Sequence, residues 1–460
     1  MRIGLPENLI AYARVFAGAG VRGYVVGGLV RNAILGYPAS DIDICSALTP
    51  QEAAELFEEA GAHVVMKAPQ FGTIEIHYQD LIVEHTTFRG ESYPEGGEHK
   101  PSDVWFSKQL FDDAFRRDFS VNALYAELET GEIIDPTGGM EDIQNRILRT
   151  TSENPNDILS SDALRVLRLC RQGAELGLRV EENTLRAARE NAEKLKDIAA
   201  ERKRDELTKL LLSDVKYGRG PIAVLEGLHL MDETRALDVL IPELTLGRGM
   251  EQRPDMHRYD VLEHSLRTGA AAPPELVMRL SGLLHDVGKP KVHLETGRYL
   301  GHDRAGEPIA RRVLEELKYP THLVNEVCQI VRWHMYDIQG TAKESTLRTK
   351  FGEWGRDLVR KLILMRETDI HGTGTDDDYV AERWRALYLD MERRNTPFDL
   401  TELAITGEDV MAITGLMPSP RVGQVLDELW RRCLIKPEEN TRERLSRILE
   451  NWARDTGLRG

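Results

Sequence analysis

The chain opens on MRIGLPENLIAYARVF, whose apolar residues recur at helical spacing and predict an amphipathic helix. From residue 23 the pattern shortens. Tyr24-Val25-Val26 is an apolar strand run, Gly27-Gly28 interrupts it, and Leu29 to Leu35 returns to helical spacing. Gly36-Tyr37-Pro38 turns the chain into a second short strand, Asp41 to Cys45, and further strand-like runs stand at 73–78 (TIEIHY) and 81–88 (LIVEHTTF). Residues 90–103, GESYPEGGEHKPSD, are polar, rich in Gly and Pro, and predict a mobile loop. Beyond about residue 155 the strand signals fade and long charged amphipathic helices follow, with breaks near 216–221, 246–254 and 372–378. The pattern therefore predicts an α+β first portion and an all-α remainder.

Length and composition narrow this. With 460 residues, 41% of them hydrophobic, the chain is too long for one ordinary core and is expected to form two to four domains. No run approaches 18 consecutive apolar residues, so no membrane-spanning helix is expected. The first residues lack a small-residue cleavage site, which argues against a signal peptide. Cys45, Cys170, Cys328 and Cys433 are scattered without CxxC spacing and read as buried thiols of a reducing cytoplasm. A net charge of −16 argues against indiscriminate coating of nucleic acid, so a polyanion partner would need a local basic surface.

Three motifs carry candidate chemistry. In Asp41-Ile42-Asp43, strand alternation projects both carboxylates to one face, about 6–7 Å apart along the backbone. That spacing suits one or two Mg2+ ions. Upstream, Gly27-Gly28 sits at a strand-to-helix junction where bare backbone N–H groups can approach a triphosphate, and Arg31 follows within one turn. The second motif, Arg116-Arg117-Asp118-Phe119-Ser120-Val121-Asn122-Ala123, has the charges for phosphates and ribose hydroxyls. In the third, Asp162 and Arg165 lie three apart in a helical stretch, and Arg168 and Arg171 extend the row. A carboxylate accepts from cytosine N4 or adenine N6, and the guanidinium donates to cytosine N3/O2 or adenine N1. Uracil and guanine present acceptors to the carboxylate, so such a pair selects C and A.

Taken together, VVGGLVRNAILG, SDIDI, RRDFSVNALY, IIDPTGGMEDIQNRILR, DALRVLRLCRQGAELGL, AAERKRDELTKLL and ITGEDVMAITGLMPSPRVGQVL resemble the class II tRNA nucleotidyltransferase and bacterial poly(A) polymerase family over nearly the whole chain. The resemblance implies a polymerase-β-like head with a mixed sheet (1–150), then an all-α neck (151–250), body (251–395) and tail (396–460). It implies that Asp41 and Asp43 hold catalytic Mg2+, with Glu84 as a third acidic group. Gly27, Gly28 and Arg31 would lie at the triphosphate, Arg117 and Asp118 at the ribose with Asn122 beside them, and Asp162, Arg165, Arg168 and Arg171 at the base. Two positions depart from the family wording: Asn32 replaces an aspartate and Ser161 a glutamate. The lost glutamate is expected to have supported Arg165 rather than touched the base.

A further resemblance, to HD phosphohydrolases, rests on His264, His285-Asp286 and Asp369, with His302 and His334 as two additional ligands. It implies a divalent transition metal such as Mn2+ or Ni2+ and hydrolysis of phosphate esters, 2′,3′-cyclic or 3′ phosphates of RNA ends among them. His257, His293 and His371 receive no metal role. The implied function is template-independent addition of C and A to tRNA 3′ ends from CTP and ATP in the cytoplasm. Addition of A alone, poly(A) synthesis, and a phosphohydrolase carrying a relic head remain the alternatives, and monomer and homodimer stay open. RNA binding is expected to rest on a few arginines, including Arg421, Arg431 and Arg432, and to have a shallow salt slope.

Overall fold

The computed structural model describes all residues except 39–40, 93–102, 254–257, 375–378 and 456–460. The chain forms two compact units, Met1–Thr245 with Glu316–Lys318, and Leu246–Glu315 with Tyr319–Gly460. The break at 245 falls close to the expected neck–body boundary. Head and neck, expected as separate domains, lie in one unit.

In the first unit a seven-stranded mixed sheet has the order β3-β4-β5-β2-β1-β8-β9. Its strands are β1 (Gly23–Val26), β2 (Asp43–Ser46), β3 (His63–Ala68), β4 (Thr73–Tyr78), β5 (Leu81–Thr87), β8 (Tyr125–Glu127) and β9 (Ile133–Ile134). β1 is buried throughout, as its unbroken apolar run predicts for a central strand. Val25, Ile44, Ile74 and Ile76 fill the core with Phe16, Phe57 and Tyr12, whose hydroxyl donates to the Leu81 carbonyl at 2.8 Å. β2 runs antiparallel to β1 and parallel to β5. The second strand was expected from Asp41; it starts at Asp43, although the Ile42 carbonyl already accepts the Glu84 amide at 3.3 Å.

The ends of the expected loop at 90–103 are a hairpin, β6 (Arg89–Ser92) paired with β7 (Asp103–Phe106). Its centre, 93–102, lies outside the described residues. In the neck, helix Leu164–Leu176 packs on helices Ala200–Leu211 and Pro221–Glu233. Its Val166, Leu167, Leu169, Cys170 and Ala174 are buried.

The described regular elements of the second unit are all helical. Body and tail share one continuous core, in which Met278, Ile330, Phe351 and Trp384 join Val410, Leu429, Leu434 and Leu445. No helix among the described residues is long and apolar enough to cross a membrane. All four cysteines are free and buried.

Candidate active site and metal centre

β1 ends at Val26, and Gly27 follows with φ +74° and ψ −126°, a conformation that L side chains rarely adopt. That turn starts helix Gly28–Leu35 directly at the strand end. Register then assembles the acids. Asp43 stands opposite Val26 on one side and Glu84 on the other. Burial, the charge of Glu84 and that of Asp41 push the Asp43 carboxyl up to about 6, against the pull of Arg117. Asp41 and Glu84 thus both repel Asp43 at the start of the central strand β2. Their oxygens are of the kind that suits a hard divalent cation, although among the described residues the three do not close to metal-ligand spacing.

Arg117 is fixed from behind. Asp113, fully buried, accepts its Nε at 3.0 Å and Nη2 at 2.8 Å, and also the Tyr125 hydroxyl at 2.8 Å and the Arg116 Nε at 3.0 Å. Burial alone would raise the Asp113 carboxyl; the guanidiniums of Arg117 and Arg116 and the Tyr125 hydroxyl hold it down at about 2. Arg117 thereby lies next to the glycine turn, its Nη1 3.9 Å from where a Cβ on Gly27 would be.

Asp118, expected at the ribose, is held by internal partners. It is buried, its Oδ1 accepts from the Phe119 amide (2.8 Å) and Asn122 Nδ2 (2.9 Å), and its Oδ2 accepts from Arg168 Nε and Nη2 (2.8 and 2.6 Å). Despite burial, Arg168, Asn122 and Arg165 hold this carboxyl far below its usual range. Its geometry is that of an internal brace. Asn122 continues the network, donating to Gln172 Oε1 at 2.8 Å and accepting from Arg31 Nη1 at 2.6 Å.

The expected row on the neck helix divides. Asp162 precedes the helix, where its Oδ1 accepts the Leu164 amide at 3.0 Å and its Oδ2 lies 3.2 Å from Arg202. Arg165 donates to the Ile158 carbonyl and Ser161 Oγ, both at 3.1 Å, and to the Arg116 carbonyl at 3.0 Å. Ser161 thus supports the arginine, in the manner expected of the lost glutamate. Arg168 remains partly exposed, whereas Arg171 is buried between Glu206 (2.6 Å) and Glu175 (2.9 Å). Arg171 was expected at the nucleotide; its guanidinium instead closes an internal ion pair. Arg202 lay in the quoted AAERKRDELTKLL stretch and could have been singled out. Gln172 and Tyr217 carried no local signal.

In the second unit the six expected ligands come together from three helices and the turns that follow two others. They form two triads, His264/His285/Asp369 and Asp286/His302/His334, whose ligand atoms lie within 4.8 Å of one another in each group. Asp286 reaches both: Oδ2 is 3.3 and 3.2 Å from the Nε2 atoms of His264 and His285, and Oδ1 is 3.0 and 3.8 Å from those of His302 and His334. The Nδ1 atoms of His285, His302 and His334 face the carbonyls of Gly282, Tyr299 and Val331 at 2.8, 2.6 and 2.7 Å. Donation at Nδ1 leaves each Nε2 a bare lone pair. His302 and His334 then oppose Nε2 to Nε2 at 3.1 Å, as do His264 and His285, an arrangement that cations between them would relieve. Asp369 Oδ1 lies 3.0 and 3.3 Å from the Nε2 atoms of His264 and His285, and Lys289 flanks the cluster at 2.6 Å from Asp286. His257 lies outside the described residues.

Known families match along the chain: the poly A polymerase head domain over residues 23–149, the RNA and SrmB- binding site of polymerase A over 177–246, and tRNA nucleotidyltransferase domain 2 over 304–449. The A-adding tRNA nucleotidyltransferase of Deinococcus radiodurans is 34% identical over 78% of this chain and 83% of its own length. The CC-adding tRNA nucleotidyltransferase of Thermus thermophilus is 32% identical over 88% of each chain. The crystal structure of the Bacillus stearothermophilus CCA-adding enzyme in complex with CTP superposes with a TM-score of 0.68 at 25% identity, covering 98% of both chains.

Proposed function

The chain belongs to the tRNA nucleotidyltransferase and poly(A) polymerase family, and on that premise we propose how its own residues carry the reaction. The enzyme extends tRNA 3′ ends with C and A, without a template, and works with a divalent metal. Our reading is complete CCA addition from CTP and ATP with Mg2+, in the cytoplasm.

The observation that carries this reading is the register placing Asp43 between the Gly27 turn and Glu84, with Arg117 at the same turn. Asp41 and Asp43 hold Mg2+, and Glu84 adds a third carboxylate beside them. Bound there, Mg2+ would lower the pKa of the RNA 3′-hydroxyl and stabilise charge at the α-phosphate as pyrophosphate leaves. Arg31, Arg117 and the helix N-terminus at Gly28 receive the triphosphate. Asp162 and Arg165 read the base edge, Arg165 held at its angle by Ser161 and the Arg116 carbonyl. Asp118 and Arg171 act one step back, fixing Arg168 and the neck helix.

The test supplies CTP and ATP, singly and together, to tRNA lacking CCA, tRNA ending in CC, and an unrelated RNA. The expected product is CCA addition that stops, confined to tRNA. A single A restricted to CC-ended tRNA, or an unlimited A tail on any RNA, would overturn the reading.

A second activity is supported by Asp286 reaching two pairs of facing imidazoles, His264/His285 and His302/His334. His264, His285 and Asp369 hold one transition metal, and His302 and His334 a second, with Asp286 shared. Such a pair would activate water and polarise a phosphate ester. We propose hydrolysis of 2′,3′-cyclic or 3′ phosphates at RNA ends. With Mn2+ or Ni2+ supplied, His285→Ala should abolish it and Asp41→Ala leave it intact.

A further inference from the structure

Arg31 is buried next to the glycine turn, yet among the described residues no carboxylate lies within ion-pair distance of it. Its partners are neutral. Nε and Nη2 donate to Asn32 Oδ1 at 3.1 and 2.9 Å, Nη1 donates to Asn122 Oδ1 at 2.6 Å, and Nη2 lies 3.4 Å from the Tyr217 hydroxyl. Asn32 is fully buried, and in this chain its amide serves as both donor and acceptor. Its Nδ2 donates to the Pro38 carbonyl at 2.9 Å and to the Tyr217 hydroxyl at 3.1 Å, while its Oδ1 receives Arg31. An ionised aspartate has acceptors only, so at this position it would repel the Pro38 carbonyl and pair with Arg31 instead. Tyr217 comes from the neck, 185 residues away, and its ring stacks on Tyr37 with centroids 4.5 Å apart and planes 12° apart.

We infer that Asn32 of the head and Tyr217 of the neck are positioning residues that hold Arg31 as a cation with neutral partners, reserved for the triphosphate of the incoming nucleotide. A carboxylate at position 32 would cancel much of that charge before a nucleotide arrives. An amide and a phenol fix the same guanidinium and leave its charge to the ligand. The anion site is therefore completed across the head–neck seam of the first unit. Desolvation of a guanidinium with no carboxylate in contact, only the longer-range attraction of Glu175 and Asp118, also makes the free site costly, so anion binding relieves it. The inference rests on the reading above that Arg31 meets the triphosphate.

Tripolyphosphate serves as a probe that needs no catalysis. Its inhibition constant, and KM and kcat for ATP on CC-ended tRNA, are measured for the parent and for Asn32→Asp, Tyr217→Phe and Arg31→Ala. Loss of a hydrogen bond to a charged group, or neutralisation of that charge, should weaken tripolyphosphate about tenfold. Asn32→Asp and Tyr217→Phe should raise KM by a similar factor and change kcat less than about twofold. Tyr217→Phe keeps the ring stacked on Tyr37, so it decides the matter if Asn32→Asp fails to fold. Parent-like tripolyphosphate binding in Tyr217→Phe and in folded Asn32→Asp, with binding lost in Arg31→Ala, overturns the inference and leaves the triphosphate reading standing. Parent-like binding in Arg31→Ala overturns both.

Discussion

Asp113 fixes Arg117, the arginine proposed to receive the triphosphate, without itself being placed at the substrate. It is fully buried and neutralised by Arg116 and Arg117. Removing one partner of such a pair strands the other charges, which costs about 3–5 kcal/mol. Asp113→Ala should therefore lower the thermal stability of the first unit by that amount in a denaturant melt, and raise KM for nucleotide because Arg117 loses its anchor. The pH dependence has a defined sign. The folded carboxyl sits at about 2, below its ordinary value of 3.8. Its stabilisation is thus complete above about pH 4 and lost as pH falls toward 2. An acid titration of the parent against Asp113→Asn should show the two curves converging across that window. If they stay parallel down to pH 2, the ion pair contributes nothing.

At the scale of the element, the neck helix shows how a single periodic row acquires unlike roles. Spacing of three put Arg165, Arg168 and Arg171 on one face of a helix, which the structure bears out in Leu164–Leu176. It could not say that the row runs from an opening at Asp162 to an interior at Arg171, because that gradient depends on Glu175 and Glu206 closing over one end. Substitutions along the row should accordingly differ in kind. Asp162→Ala should relax selection, with incorporation of UTP and GTP relative to CTP and ATP rising about tenfold or more, since a carboxylate facing an acceptor is the repulsive element. Arg171→Ala should leave selectivity alone and cost about 3–5 kcal/mol of stability, as expected for a broken buried pair. A selectivity change in Arg171→Ala without loss of stability would return that residue to the nucleotide. The tail offers a parallel. Arg431 is paired with Asp427 and Glu353, and Arg432 with Glu439, so two of the three arginines expected at RNA already have carboxylate partners. Exposed pairs are weak, about 0–1 kcal/mol, and phosphates can displace them.

Over the whole molecule, each of the two units carries a cluster proposed to bind metal. The head offers carboxylates alone, the second unit imidazoles with carboxylates, so they should differ in metal preference. Mn2+ or Ni2+ should raise the melting temperature of the parent, by about 2.7 kcal/mol of stability at a hundredfold excess over Kd, and leave Asp286→Ala unmoved. Asp41→Ala should respond as the parent does. If Asp286→Ala is stabilised equally, the six-ligand cluster is not where the ion binds. A net charge of −16 bears on the RNA. The salt dependence of tRNA binding should have a log–log slope shallower than about −9, the value for ten neutralised phosphates.

The sequence by itself determined the residue types and local periods from which the architecture follows. An apolar strand broken at Gly27-Gly28, an acidic triplet, and long amphipathic helices after residue 155 are patterns of near neighbours, and near neighbours are what periodicity reports. Their order also marked the six metal-ligand candidates. Only the tertiary structure decided which of these groups face outward and which neutralise one another. Burial of Asp118 and Arg171, the support of Arg165 by Ser161, and the meeting of Tyr217 with Asn32 are contacts between distant segments or closures over an element's end. Charge and hydrogen-bonding capacity belong to the residue. Whether they remain available to a ligand depends on which neighbours the fold brings within about 3 Å.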